Sequence, residues 1–243
     1  MPEPAAVVTD SAASGRPAEV AAGRRTGLLA STALMPLGLA LGVLVVHSGL
    51  DWWWAPAIAA LILAGSLEFL MVGLLAAAAP FAQIAVTALL VNFRHVFYAL
   101  SFPLHRVGGY GWKAYSTFAL TDEAYALTAP AESEGWSRAR ILTVQATIQV
   151  SWVASVTLGA GLGALIPPWV VGLEFAVTAL FAVLTIEAYR VRASIPLPIL
   201  GLVCALAGLL ISPANMLLIG MSLFVVALLA SYGLAGRRRA SRG

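Results

Sequence analysis

Apolar runs of about twenty residues follow one another from Gly27 to Leu234, and polar and apolar residues do not alternate within them. Only helices and closed barrels satisfy every backbone group in lipid, and a barrel strand reads as about ten alternating residues. The runs therefore predict an all-α fold, a polytopic transmembrane helical bundle of about 7–8 spans, with room for a broken or re-entrant helix. Composition agrees: 60% hydrophobic residues, 10% charged residues and a mean hydropathy of +0.91 exclude an ordinary soluble domain.

The flanks are different in kind. Residues 1–26 are rich in Ala, Pro and Ser, carry Arg16, Arg24 and Arg25, and read as a disordered cytoplasmic tail. Residues 27–234 form the transmembrane domain, and 235–243 form a basic cytoplasmic tail with Arg237, Arg238, Arg239 and Arg242. The net charge of +3 is dispersed through tails and short loops, as the positive-inside bias requires, and not gathered into a nucleic-acid patch. The lone Cys204 can form no intrachain disulfide.

Within the domain, span one (Gly27 to His47) contains Pro36 and a Gly38/Gly42 pair that suits close packing. Trp52, Trp53 and Trp54 mark an interface. Span two (Trp54 to Ala78) holds Gly65, Ser66 and Glu68 near its middle. Small residues beside a carboxylate are what a broken helix offers; the alternative is a core carboxylate satisfied by Arg94 or a hydroxyl. Tyr115 to Ala129, with Asp122 and Glu123, is short for a crossing, so it is a tilted helix, a re-entrant one or an amphipathic surface turn. Span five (Ile141 to Ile166) carries Gln145, Gln149 and Trp152, then a file of small residues, Ser155, Gly159 and Gly163.

Span six (Val170 to Ala188), with Glu174 and Glu187, precedes Arg190 and Arg192. Spans seven (Ile195 to Ile211) and eight (Met216 to Leu234) are nearly uncharged. Eight spans put both termini, Arg138, Arg140, Arg190 and Arg192 inside, and leave Arg106 and Lys113 outside. A seven-span version with 115–129 re-entrant is the second expectation. Gly65–Phe69 is echoed at Gly172–Phe175, which an internal duplication would explain.

The segment Val91 to Pro103 is the most heavily loaded with hydrogen-bonding groups. Gln83, Thr87, Arg94, Tyr98, Ser101 and His105 fall on one narrow stripe of a single helix, His95 borders it, and Asn92 stands away from it. A charge at the centre of a spanning helix costs about 2.5 to 3.5 kcal/mol on insertion scales, so such residues face a bundle interior or a wet cavity. This stripe reads as the wall of a polar path.

Enzyme signatures are missing. The sequence contains no H-E-x-x-H pair, nucleophile elbow, Walker loop or dinucleotide fingerprint, and His47, His95 and His105 with one Cys make a poor ligand set for a metal. Neither an enzyme nor a cofactor or metal is expected, and without an ATP site any pumping is driven by a gradient or a partner.

The blocks VNFRHVFYALSFPLH and FALTDEAYAL, with AGSLEF before them, resemble the AzlC family of branched-chain amino acid exporters, and within it the BrnF-like large subunits. The N-R-H-x-x-Y-A core stands here as Asn92, Arg94, His95, Tyr98 and Ala99; many members have glutamine where this chain has Glu68. The resemblance implies a multi-pass permease of the bacterial cytoplasmic (inner) membrane. It would export isoleucine, leucine, valine and methionine with a small hydrophobic AzlD/BrnE-type subunit. A zwitterion needs an anion site and a cation site, which Arg94 and the carboxylates Glu68, Asp122 and Glu123 could supply. His95, a residue type whose charge changes near neutral pH, is then the proton-relay candidate.

Overall fold

The computed structural model describes residues 11–128, 133–167, 182 and 197–240. Span six, its glutamates, Arg190, Arg192 and the echo at 172–175 lie outside the described residues. Every regular element described is helical, as the apolar runs predict. The chain divides into two compact units, one drawn from residues up to 76 and 93–173, the other from 77–92 and 174 onward. Three described segments are long and apolar enough to cross a membrane: Gly15–His47, Phe81–Tyr98 and Arg138–Leu165.

The first unit is built on two long helices, α1 (Ser11–His47) and α8 (Arg138–Leu165). Helix α1 begins well before Gly27, so residues 11–26 are helical where composition reads as a tail. Its alanines favour the helix, and its early turns have a surface to rest on: a Cβ on Gly23 would stand 2.9 Å from the Arg140 carbonyl. Helix α8 starts at Arg138, three residues before the expected span, because Ser137 caps it by accepting from the Arg140 N–H at 3.3 Å. The same hydroxyl donates to Glu19 of α1 at 2.8 Å.

Small residues set the distance between these two helices. A Cβ on Gly27 would lie 2.8 Å from Thr147 Cβ, one on Gly38 would strike Ser155, and one on Gly42 would strike Val156 and Ala160. From the other side, a Cβ on Gly159 would lie 2.7 Å from Leu39 Cα and one on Gly163 3.0 Å from Val43 Cα. The four-residue spacings read separately in spans one and five are thus the two halves of one interface. Residue numbers rise together along it, so α1 and α8 run parallel.

Span two is two helices, α2 (Trp54–Leu61) and α3 (Gly65–Ala76). At the break Leu63 sits at φ +49°, a left-handed conformation that costs a residue with a Cβ about 1–2 kcal/mol. Two further helices precede the next break, α4 (Phe81–Asn92) in the second unit and α5 (Arg94–Ser101) in the first. Helix α5 ends at Phe102, which is extended at φ −66°, ψ 133° because Pro103 follows.

The short segment with Asp122 is a re-entrant hairpin of α6 (Tyr110–Phe118) and α7 (Asp122–Thr128), nine and seven residues long, neither able to cross alone. Helix α6 climbs alongside α8: Trp112 lies under the Arg138 guanidinium and Ser116 meets Gln145. Helix α7 comes back down. Ala124 packs among Val144 and Ile148, and Thr128 closes on Ser133, whose carbonyl accepts from Arg106 at 2.9 Å. Both ends of the hairpin therefore lie at the Arg138 end of the unit. This corrects the eight-span expectation, which placed Arg106 opposite Arg138, because the hairpin turns back instead of crossing.

The second unit contains α4, α9 (Leu197–Ile211) and α10 (Met216–Ala240). A tight turn at Pro213–Asn215 joins α9 to α10, and a Cβ on Gly208 would lie 2.6 Å from the Met216 carbonyl. Cys204 is buried in α9 and free.

Candidate functional site

Arg94 is the first residue of α5, and its Nη2 makes two contacts. It donates to Ser66 Oγ at 3.0 Å and pairs with Asp122 Oδ2 at 2.8 Å. Ser66 lies in the first turn of α3 and Asp122 opens α7, so one guanidinium nitrogen ties together the two broken segments. Both charged side chains remain about two-fifths exposed, 42% for Arg94 and 39% for Asp122. The N–H groups on Nε and Nη1 make no hydrogen bond among the described residues. The second Asp122 oxygen, Oδ1, is buried and accepts none of ordinary geometry among them, although the Tyr98 phenol lies close to the carboxylate.

Below the pair, α5 and α7 meet through aromatic rings. Tyr98 and Tyr125 stack with centroids 4.3 Å apart and planes 9° apart, Ser101 Oγ and Tyr125 Oη share a hydrogen bond of 2.8 Å, and His95 stands edge-on to Tyr98. Three members of the expected stripe, Arg94, Tyr98 and Ser101, thus face one partner helix. His105 leaves the stripe because the helix stops before Pro103, and it falls in a 3-10 turn, Leu104–Arg106. Asn92 closes α4 in the other unit, and Glu123 is a half-buried residue in the first turn of α7.

Glu68 is fully buried and does not meet Arg94. Its Oε1 accepts the Ala64 N–H at 2.9 Å, and its Oε2 accepts the indole N–H of Trp152 at 2.9 Å. The first bond returns the carboxylate to the start of its own helix, satisfying a donor that the break orphans. Glu68 therefore holds the break itself.

The opposite break is held from α8. The Gln145 side chain is buried; its Nε2 donates to the Ser116 carbonyl at 2.8 Å and the Ala119 carbonyl at 3.3 Å, and its Oε1 accepts from Ser116 Oγ at 2.8 Å. Gln149, one turn on, accepts from the Tyr115 phenol at 2.9 Å. Thr121 Oγ1 accepts from the Ala124 N–H at 3.2 Å, capping α7. These supports, with Ser66 and Tyr125, are the residues that a reading of the stripe alone does not assign. Gln145, Gln149 and Trp152 do carry a signal, a polar file at helical spacing inside an apolar run.

Helices broken in the middle of an apolar bundle, around a partly open arginine and aspartate, define a helical membrane protein with a polar site at the depth of its discontinuities. The AzlC protein family model matches residues 30–166, and the chain belongs to that family. It is 31% identical to the branched-chain amino acid transport protein AzlC of Bacillus subtilis over 205 residues, 81% of this chain and 76% of that one. An uncharacterized membrane protein of Helicobacter pylori is 34% identical over 79% of this chain and 86% of its own length. One of Haemophilus influenzae is 32% identical over 72% of this chain and 73% of its own. No solved structure matches.

Proposed function

We propose that this chain is the large subunit of a secondary transporter that exports the branched-chain amino acids isoleucine, leucine and valine, together with methionine, across a bacterial cytoplasmic membrane. The observation that carries the reading is the Arg94–Asp122 pair. One nitrogen of the guanidinium is committed to Ser66 and Asp122, while Nη1 remains to donate to a carboxylate. Asp122, partly exposed beside Arg94, supplies the negative charge for the substrate's ammonium group. A substrate α-amino acid presents both charges on one carbon, and its aliphatic side chain would lie against the stacked Tyr98 and Tyr125.

The remaining residues take supporting roles in this reading. Glu68 fixes the break that presents Ser66. Glu123 borders the path, and His95, beside Tyr98, relays protons if efflux is coupled to them. The small hydrophobic AzlD/BrnE-type subunit is the partner, and both termini face the cytoplasm. The family's named transport member supports transport over catalysis.

The test loads exporter-deleted bacteria with dipeptides and follows internal and external isoleucine, leucine and valine, with this chain expressed alone and with its small partner. Internal pools that fall as external pools rise support export. Pools that stay high in both cells, with the protein present in the membrane, remove the substrate assignment and bring a channel or an enzyme forward.

A further inference from the structure

A groove lies away from the Arg94 site, between the first half of α1 and the start of α8, with Trp112 of α6 as one wall. We propose that this groove binds an anionic phospholipid, its phosphate at Arg16, Arg24 and Arg138 and an acyl chain along Leu28, Leu142 and Val150.

Charge comes first. Arg16, Arg24 and Arg138 line the groove, Arg24 about 12 Å along α1 from Arg16, and among the described residues none of them pairs with a carboxylate. Glu19 is the acidic residue of the lining, and it is already engaged by the Ser137 hydroxyl. The groove end is therefore positive and open to an anion. Basic pockets between membrane helices at an interface hold anionic headgroups in this way. Trp112, with Arg138 5.3 Å from its ring centroid, adds the amphipathic indole of a headgroup boundary.

Length and size favour a lipid over a soluble anion. The lining runs along α8 from Arg138 to Val150, a rise of about 18 Å. It runs along α1 from Arg16 to Leu28 over the same distance. Half of a hydrocarbon core is about 15 Å, so the groove is about one leaflet long, basic as far as Arg24 and lined beyond it by Leu28, Thr147, Val150 and Ser151. Its volume of about 1440 Å³ exceeds what a single amino acid would fill.

Trp112 reports the site. The purified full-length chain is reconstituted in phosphatidylcholine bilayers doped with phosphatidylglycerol or phosphatidylcholine brominated close to the glycerol, at equal mole fraction. The Trp112 signal is taken as wild type minus Trp112→Phe. It should be quenched about fivefold more effectively by the brominated phosphatidylglycerol. Combined Arg16→Gln and Arg24→Gln, which leaves Arg138 on Trp112, should equalise the two lipids, whereas neutralising Arg237, Arg238 and Arg239 should not. On the wild-type chain, which needs no folding variant, high salt should weaken the preference. Equal quenching in wild type, a preference that survives the groove variant, or one indifferent to salt overturns the proposal. So does a Trp112 shielded from both lipids once the small subunit is added, which would make the groove a protein interface.

Discussion

The indole N–H of Trp152 reaches Glu68 Oε2, 84 residues away in sequence, at 2.9 Å, joining the middle of α8 to the helix break before α3. With Ala64 on the other oxygen, the carboxylate holds Leu63 in its left-handed conformation and so fixes where α3 begins. The first turn of α3 carries Ser66, and Ser66 is half of what positions Arg94. Substrate geometry in this account thus depends on a bond that no substrate touches.

Removing one member of that bond should be costly. Trp152→Phe leaves a buried carboxylate oxygen without its donor, a loss of about 1–3 kcal/mol. Glu68→Gln presents an amide N–H to the indole N–H unless it flips, in which case Ala64 loses its acceptor. The double variant should be less damaged than the two losses summed, with a coupling of about 0.5–3 kcal/mol in detergent melting curves. Additive losses would show that the two side chains do not act as a unit.

The interface of α1 and α8 makes a sharper contrast. Gly42→Val and Gly159→Leu drive side chains into the facing backbone, and folded protein should fall below detection in size-exclusion profiles. Gly161→Ala has open space within 4 Å and should be indistinguishable from wild type.

The hairpin predicts sidedness. With Cys204 replaced by alanine, Gly111→Cys in the first turn of α6 and Glu134→Cys after α7, both exposed, should react with an impermeant maleimide from the same face of sealed vesicles. Labelling from opposite faces would mean that the segment crosses.

Much of this was legible before any coordinates. Spacing of four exposed both small-residue faces of the α1–α8 interface, and helical periodicity put Arg94, Tyr98 and Ser101 together. Gly65 and Ser66 marked the region of the break. The break itself falls at Ile62–Ala64, where nothing local asks for it; Leu63 disfavours a left-handed conformation and accepts it because Glu68 and Trp152 hold both sides. Periodicity could not choose between Glu68 and Asp122 as the partner of Arg94, since both are acids in apolar segments and only the return of α7 brings Asp122 close. That return depends on Gln145 reaching the carbonyls at the end of α6, a long-range contact that no local pattern encodes.

Gln145→Leu tests that dependence. It keeps the bulk but leaves the Ser116 and Ala119 carbonyls without their amide donor, at about 1–3 kcal/mol for a buried group. The hairpin should loosen, so Ala119→Cys in the Cys204→Ala background should react with a small permeant thiol reagent several-fold faster when Gln145 is also replaced. An unchanged rate would place the support of α7 elsewhere.

The central claim is that Arg94 receives the substrate carboxylate through N–H groups its structural partners leave unused. The direct measurement is leucine counterflow in proteoliposomes holding this chain with its small subunit, comparing wild type with Arg94→Lys at equal protein content. Lysine keeps the charge near Asp122 but loses the planar fork, so counterflow should fall at least about tenfold while the melting temperature stays near wild type. Leucinamide, which lacks the carboxylate, should fail to compete in the wild type. Undiminished counterflow by Arg94→Lys, or competition by leucinamide equal to that of leucine, would contradict the account.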